Sequence, residues 1–322
     1  MESRPLAGTG PPLTRLGLGM AALGRPAYIT VGHAADLPPG RSVEAVEAHA
    51  HRVLDGAFAA GIRYFDAARS YGRAEQFLRA WIDSRGIRPA EIAVGSKWGY
   101  RYTGGWQVDG RVQEVKDHGE AMLEKQAAES LSLLGPWLRL YQIHSATPQT
   151  GVLEDARVLA RLGRLREQGL YLGVTASGPE QAETVRRALE VRLDGAPLFS
   201  AVQATWNVLE RSAGEALREA HRAGVTVLVK EPLANGILAQ ADGPLAAAAR
   251  RAGIAPDLLA LAFVLKESWA DVVLLGAATV EQVESNVRAL GVSLQAGVVS
   301  RLDALVQAPD AYWERRSRLP WN

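Results

Sequence analysis

Four ionisable side chains of unlike chemistry, Asp66, Tyr71, Lys97 and His144, stand at or just beyond the ends of three apolar runs. Ile62 to Phe65 leads into Asp66, with Tyr71-Gly72 shortly after; Ile92 to Ser96 leads into Lys97; Leu138 to Ile143 leads into His144. Reducing a carbonyl creates an alkoxide that must receive a proton as it forms. A free phenol, with a pKa near ~10, is a weak acid for that task at neutral pH. An adjacent ammonium favours phenolate and so lowers that value, and a carboxylate keeps the ammonium charged in a partly desolvated pocket. The residue types therefore fit an acid (Tyr71), a tuner (Lys97) and an anchor (Asp66), with His144 orienting the carbonyl oxygen or relaying the proton. Each also has a plainer reading: Asp66 as a helix cap or ion-pair partner, Tyr71 as packing, His144 as a satisfied core histidine. Lys97 resists one, because a lysine closing an apolar strand needs a buried partner. Only five of the 36 lysines and arginines are lysine, which adds modest weight.

These side chains need a scaffold that brings strand ends to one face. Helical patterns over residues 42–60, 73–84, 115–134, 151–168, 179–191, 212–222 and 279–290, with two short ones in 243–267, alternate with short apolar runs. Beyond the three runs above, those at 16–23, 170–174, 199–203, 225–229 and 271–275 make eight strands, nearly all apolar as in a sheet covered by helices. Eight strand-helix units in this length predict an α/β fold, a single closed (β/α)8 TIM barrel over residues 1–322, with an N-terminal extension, long substrate loops and a C-terminal tail. An open dinucleotide-binding sheet is disfavoured, since Gly17-Leu18-Gly19 lacks the third glycine and a following helix. Two long loops stand outside the repeat. Residues 24–41 contain Tyr28, and residues 98–116 contain Trp98, Tyr100, Tyr102 and Trp106; the second reads as an aromatic substrate lid ahead of a purely structural plug, with Trp98 and Tyr28 as substrate-binding candidates.

A net charge of +1 gives no sign of nucleic acid or an anionic membrane surface as partner. With no cysteine, disulfides and thiolate chemistry are excluded. No signal-like or membrane-spanning apolar run is present, so a soluble cytoplasmic protein is expected.

The string Phe65-Asp66-Ala67-Ala68-Arg69-Ser70-Tyr71-Gly72, followed by Lys97 and His144 at their strand ends, resembles the signature of the aldo-keto reductases. The resemblance extends through Gly173-Val174-Thr175, Gln203, Pro232 to Gly236, and Gly276 with Gln282 and Asn286. It implies an NAD(P)H-dependent oxidoreductase acting on a small carbonyl or alcohol, with Asp66, Tyr71, Lys97 and His144 catalytic. It implies that Thr175 and Gln203 hold the nicotinamide carboxamide. Gly19, Met20 and Leu233 would then flank the phosphates, and Gly276, Gln282 and Asn286 the adenosine. Three departures stand out. Lys230 occupies the position where the family often stacks an aromatic ring on the nicotinamide, Ala176 replaces a common asparagine, and residues 276–286 contain no lysine or arginine for a 2′-phosphate. The family's habit puts NADP(H) slightly ahead of NAD(H). The rival reading is a cofactor-binding regulatory or scaffold subunit with little turnover; a barrel hydrolase or isomerase ranks lower, for want of a second carboxylate closing a neighbouring strand.

Overall fold

Eight parallel strands close into a barrel in the computed structural model of the chain, which describes residues 1–110 and 112–322. In chain order they are β1 Leu16–Gly19, β2 Tyr64–Asp66, β3 Ala93–Trp98, β4 Leu138–Ala146, β5 Tyr171–Ala176, β6 Ala201–Thr205, β7 Thr226–Lys230 and β8 Val272–Leu275. Spatial order follows chain order, and β8 returns to pair with β1, Leu275 opposite Leu18. The helices between them are α1 Val43–Ala59, α2 Ala74–Arg85, α3 Glu120–Leu134, α4 Ala156–Glu167, α5 Gln181–Glu190, α6 Gly214–Arg222, α7 Pro256–Leu265 and α8 Val280–Val287. Ser42, Asp155 and Thr279 cap α1, α4 and α8, each accepting from a first-turn N–H.

The strands are apolar on both faces because both sides are dry. Their outer faces join the helices in one large core, while Tyr64, Ala93, Leu140, Ala201, Leu228 and Val272 form a second cluster with Leu6 and Leu13. Those two leucines come from the N-terminal extension, a hairpin of Ser3–Pro5 with Pro12–Thr14. It is tied on by Ala7 N donating to Thr226 Oγ1 at 2.8 Å and Arg63 N donating to Thr14 Oγ1 at 3.0 Å, both at strand starts. The hairpin thus plugs the end of the barrel opposite the strand C-termini.

Two expectations for the segment after β3 are corrected. Glu114–Lys116 is not helical: it pairs antiparallel with Tyr100–Tyr102, and α3 begins only at Glu120. The aromatics there do not form a lid. Tyr100 packs on His118 and His144, and Trp106 lies edge-on to Phe77 with its indole N–H donated to Arg41 O at 2.9 Å. The segment, apart from Arg111, which lies outside the described residues, is a plug tied to its surroundings, with Lys116 Nζ donating to Ser145 O at 2.9 Å and Glu114 accepting from Arg25 Nη1 at 2.7 Å. Past α8 the chain adds helices Ala296–Asp303 and Pro309–Ser317. Among the described residues, no helix is long and apolar enough to cross a membrane.

Candidate active site

The pairing Gly19–Asp66–Gly95 across β1, β2 and β3 sets Asp66 at the C-terminal end of the lumen. Its carboxylate is surrounded by donors. Lys97 Nζ bonds Oδ1, while Tyr64 Oη at 3.2 Å, Gln142 Nε2 at 3.3 Å and Gln203 Nε2 at 3.1 Å all reach Oδ2. Lys97 also donates to Ala67 O at 2.9 Å, so the ammonium is doubly held and fully buried. Removing either partner would strand a buried charge.

Side chains alternate along a strand, so Lys97 and Trp98 must face opposite sides of β3. With Lys97 committed to Asp66 in the lumen, Trp98 turns into the helix layer, where it is buried edge-on to His118. Trp98 does not line the cavity described below. Nor does Met20, whose side chain is buried and whose N–H donates to Asp66 O at 2.8 Å.

His144 is aimed by a bulge. The β4–β5 register slips after Ile143, and Ser145 takes a left-handed φ of 53°, with its N–H donated to Thr175 Oγ1 at 2.6 Å. Such an extra residue re-aims its neighbour. The His144 ring stands edge-on to Tyr71, with Nε2 3.5 Å from the phenol oxygen and Nδ1 3.4 Å from Ser70 Oγ. Burial, then the Lys97 and Lys230 ammoniums, hold its pKa well below the ordinary histidine value, so the imidazole is neutral.

Tyr71 departs from the expected tuning. Lys97 Nζ is 5.1 Å from the centroid of the phenol ring, facing the ring rather than bonding the hydroxyl. Burial, followed by the Asp66 and Glu114 carboxylates, pushes the phenol well above its usual pKa, with Arg25 opposing. The ammonium is paired with Asp66, and the charge of that carboxylate acts on the phenol in the opposite sense.

These groups open onto one cavity of about 690 Å³, within the range of small-molecule and cofactor pockets. Asp66, Tyr71, His144, Gly19, Thr175, Gln203, Lys230, Leu233, Gly276, Gln282, Asn286 and Tyr28 all line it. The 24–41 loop roofs it, docked by Val31 N donating to Asn235 O at 2.9 Å. Sequence reasoning missed several liners. Arg25 is buried among Tyr28, Tyr71 and Trp321, with its carbon 4.7–5.2 Å from the three ring centroids, and bonds Glu114 at 2.7 Å. Nothing local in the sequence marked it. Glu231 is bound not by Lys230 but by Arg316 of the helix Pro309–Ser317, through Nε at 3.0 Å. Burial pushes the Glu231 carboxyl up, yet Arg316 and Lys230 overcome it and hold it at about 2. Lys230 is left to Ser177 Oγ at 3.0 Å, and burial lowers its pKa to about 8.

Two buried polar groups on the cavity wall have no protein partner: both ring nitrogens of His33, and Asn235 Oδ1. Buried polar groups are nearly always bonded, so a wall with orphans is built for a polar ligand. Around them the backbone at Ala234, Asn235 and Gly236 is left-handed, a turn that presents polar groups at close range. Gln282 partly serves its own helix, its Oε1 accepting from Ala278 N at 2.8 Å. A nicotinamide dinucleotide, long and polar, fits this lining.

The fold and cavity define a parallel barrel with a buried carboxylate–ammonium pair and a phenol–imidazole pair at its strand C-termini. The chain belongs to the aldo/keto reductase family, whose profile matches residues 15–307. It is 26% identical to protein tas of Escherichia coli over 81% of this chain and 90% of that one. It is also 26% identical to the norsolorinic acid reductase stcV of Emericella nidulans, over 76% and 68%. In fold it matches the holo form of an aldo-keto reductase from Bacillus halodurans, with a TM-score of 0.72, 22% identity and 96% and 97% coverage.

Proposed function

We propose that this protein reduces an aldehyde or ketone, or oxidises the corresponding alcohol or sugar, with a nicotinamide dinucleotide. The observation that carries this reading is the Tyr71 hydroxyl 3.5 Å from a neutral His144 at the wall of a polar, partly orphaned cavity. A nicotinamide dinucleotide held along this wall would supply the hydride, which no side chain can. Thr175 and Gln203 orient it: Thr175 Oγ1 accepts from Ser145 N and keeps its proton to donate, and Gln203 Nε2 is fixed on Asp66. The substrate oxygen sits between the Tyr71 hydroxyl and His144 Nε2. Tyr71, kept as a phenol by burial, gives its proton to that oxygen as negative charge develops there. His144 orients the oxygen without titrating. The Asp66–Lys97 pair fixes the floor beneath the phenol. The rest of the acceleration is positioning.

The test is Tyr71→Phe, read on a panel of aldehydes, ketones and sugars. Turnover should fall roughly 100- to 10,000-fold while dinucleotide binding is kept. Binding with no Tyr71-dependent turnover on any carbonyl would instead support the regulatory or scaffold role.

A further inference from the structure

The cavity is electrically lopsided along its length. At the end where Tyr71 and His144 meet, Arg25 is paired with Glu114 and Arg316 with Glu231, and Lys230 stands beside them without an ion-pair partner among the described residues. The other end lies past Gly236, against the first turns of α7 and α8. There the lining offers the Asp257 carboxylate and, among the described residues, no lysine or arginine from α7 or α8. Asp257 is held in place: Ser285 Oγ at 2.9 Å and Asn286 Nδ2 at 3.2 Å both donate to its Oδ2, which leaves Oδ1 to accept from something else. His33, on the loop that roofs the cavity, adds no charge of its own, since burial and then Arg41 and Arg25 lower its pKa to about 4.

This step rests on the function proposed above. If the hydride-donating ring lies by Tyr71, the adenosine lies at the acidic end. We infer that this end selects NAD(H) over NADP(H), with Asp257 as the specificity-determining residue that accepts a bond from the adenosine moiety. A 2′-phosphate carries a charge of about −1.5 to −2 and needs cationic donors. Here it meets the Asp257 carboxylate instead, and an acidic side chain at the adenosine ribose is a known physical solution for admitting a 2′-hydroxyl. Arg288, whose Nη2 is 3.2 Å from the Ser285 Oγ that bonds Asp257, is exposed and does not line the cavity. The slight lean toward NADP(H) that came with the family resemblance is thereby reversed.

The experiment is a fluorescence titration of the full chain with NADH and with NADPH, repeated on Asp257→Ser, Asp257→Asn and Arg288→Ala. NADH should bind at least about tenfold tighter in the unaltered protein. Asp257→Ser and the isosteric Asp257→Asn should both narrow that ratio, weakening NADH and strengthening NADPH. NADPH binding as tightly as NADH, or more tightly, overturns the inference and leaves the oxidoreductase reading standing. So does a ratio that neither Asp257 variant moves. NADPH affinity lost selectively in Arg288→Ala would overturn it too, by showing that a cation reaches the phosphate. If neither dinucleotide binds, the inference and the proposed function are overturned together.

Discussion

Burial and the Asp66 carboxylate both disfavour phenolate at Tyr71, and burial with two ammoniums disfavours imidazolium at His144. The sign follows directly. A phenol whose pKa lies well above 10 is already in its donating form at neutral pH, so reduction should be nearly flat between pH 6 and 9. Oxidation needs the deprotonated form and should climb with pH across the same range. A pH–rate profile in each direction checks this. A limb near pH 6.5 that disappears in His144→Asn would show that the imidazole titrates and would sink the neutral assignment. Lys230 gives a second expectation. Among the described residues its ammonium has no carboxylate within ion-pair distance, and it shares the wall with Thr175 and Gln203. A positive charge there, only partly offset by Glu231 and Asp66, disfavours the cationic oxidised ring relative to the neutral reduced one. Lys230→Met should therefore strengthen the oxidised dinucleotide relative to the reduced one by roughly tenfold, a fraction of the full Coulomb term. Paired titrations with the two redox forms measure it, and an unchanged ratio refutes it.

Elements were more legible than their exceptions. Each barrel strand is a short apolar run, so all eight could be read, and the caps at Ser42 and Thr279 fell where helices were expected. The Asp66 and Lys97 positions were readable because a charged residue ending an apolar strand is conspicuous. The Ser145 bulge was not, since nothing in Ile143-His144-Ser145-Ala146 demands a positive φ. Nor was the pairing of Tyr100–Tyr102 with Glu114–Lys116, because both strands are three residues long and their register depends on where the plug docks. The alternation that Lys97 imposes, which turns Trp98 off the lumen, was open to reading but not applied. The Arg316–Glu231 clip, spanning 85 residues of chain, had no local signature at all. It anchors the helix Pro309–Ser317, whose Tyr312 and Trp313 are buried against the barrel. Arg316→Met should cost about 3–5 kcal/mol by leaving the Glu231 carboxylate buried and unpaired, whereas Arg316→Met with Glu231→Gln should recover much of it. Urea titration of the three proteins decides; equal losses in single and double variants would show that the clip adds nothing beyond packing.

At the scale of the molecule, the buried groups that make the cavity also set how the fold answers to acid. His33 and His118 have pKa values lowered to about 4, mainly by burial, and burial with the Lys97 and Lys230 ammoniums holds His144 well below the ordinary histidine value too. A histidine near 6.5 when unfolded but far lower when folded binds more protons in the unfolded state. Stability must then fall as pH drops from about 6.5 toward 4, and not before. Glu231 extends the loss. Its carboxyl, held at about 2 by Arg316 and Lys230 against the push of burial, favours the folded state fully above about 4.5 and surrenders that contribution as pH falls toward 2. The two windows overlap, so no acid plateau is expected between them. The four groups together are worth several kcal/mol, on the order of the net stability of a domain. Urea midpoints at pH 7.5, 6.0, 5.0 and 4.0 should therefore decline steadily. His33→Gln, His118→Gln and the pair should each flatten the decline between pH 6 and 4 while leaving the pH 7.5 midpoint within about 1 kcal/mol. A decline of unchanged slope in the double variant would place the acid sensitivity elsewhere, and a bound dinucleotide that bonds the His33 ring should steepen it by holding that ring neutral.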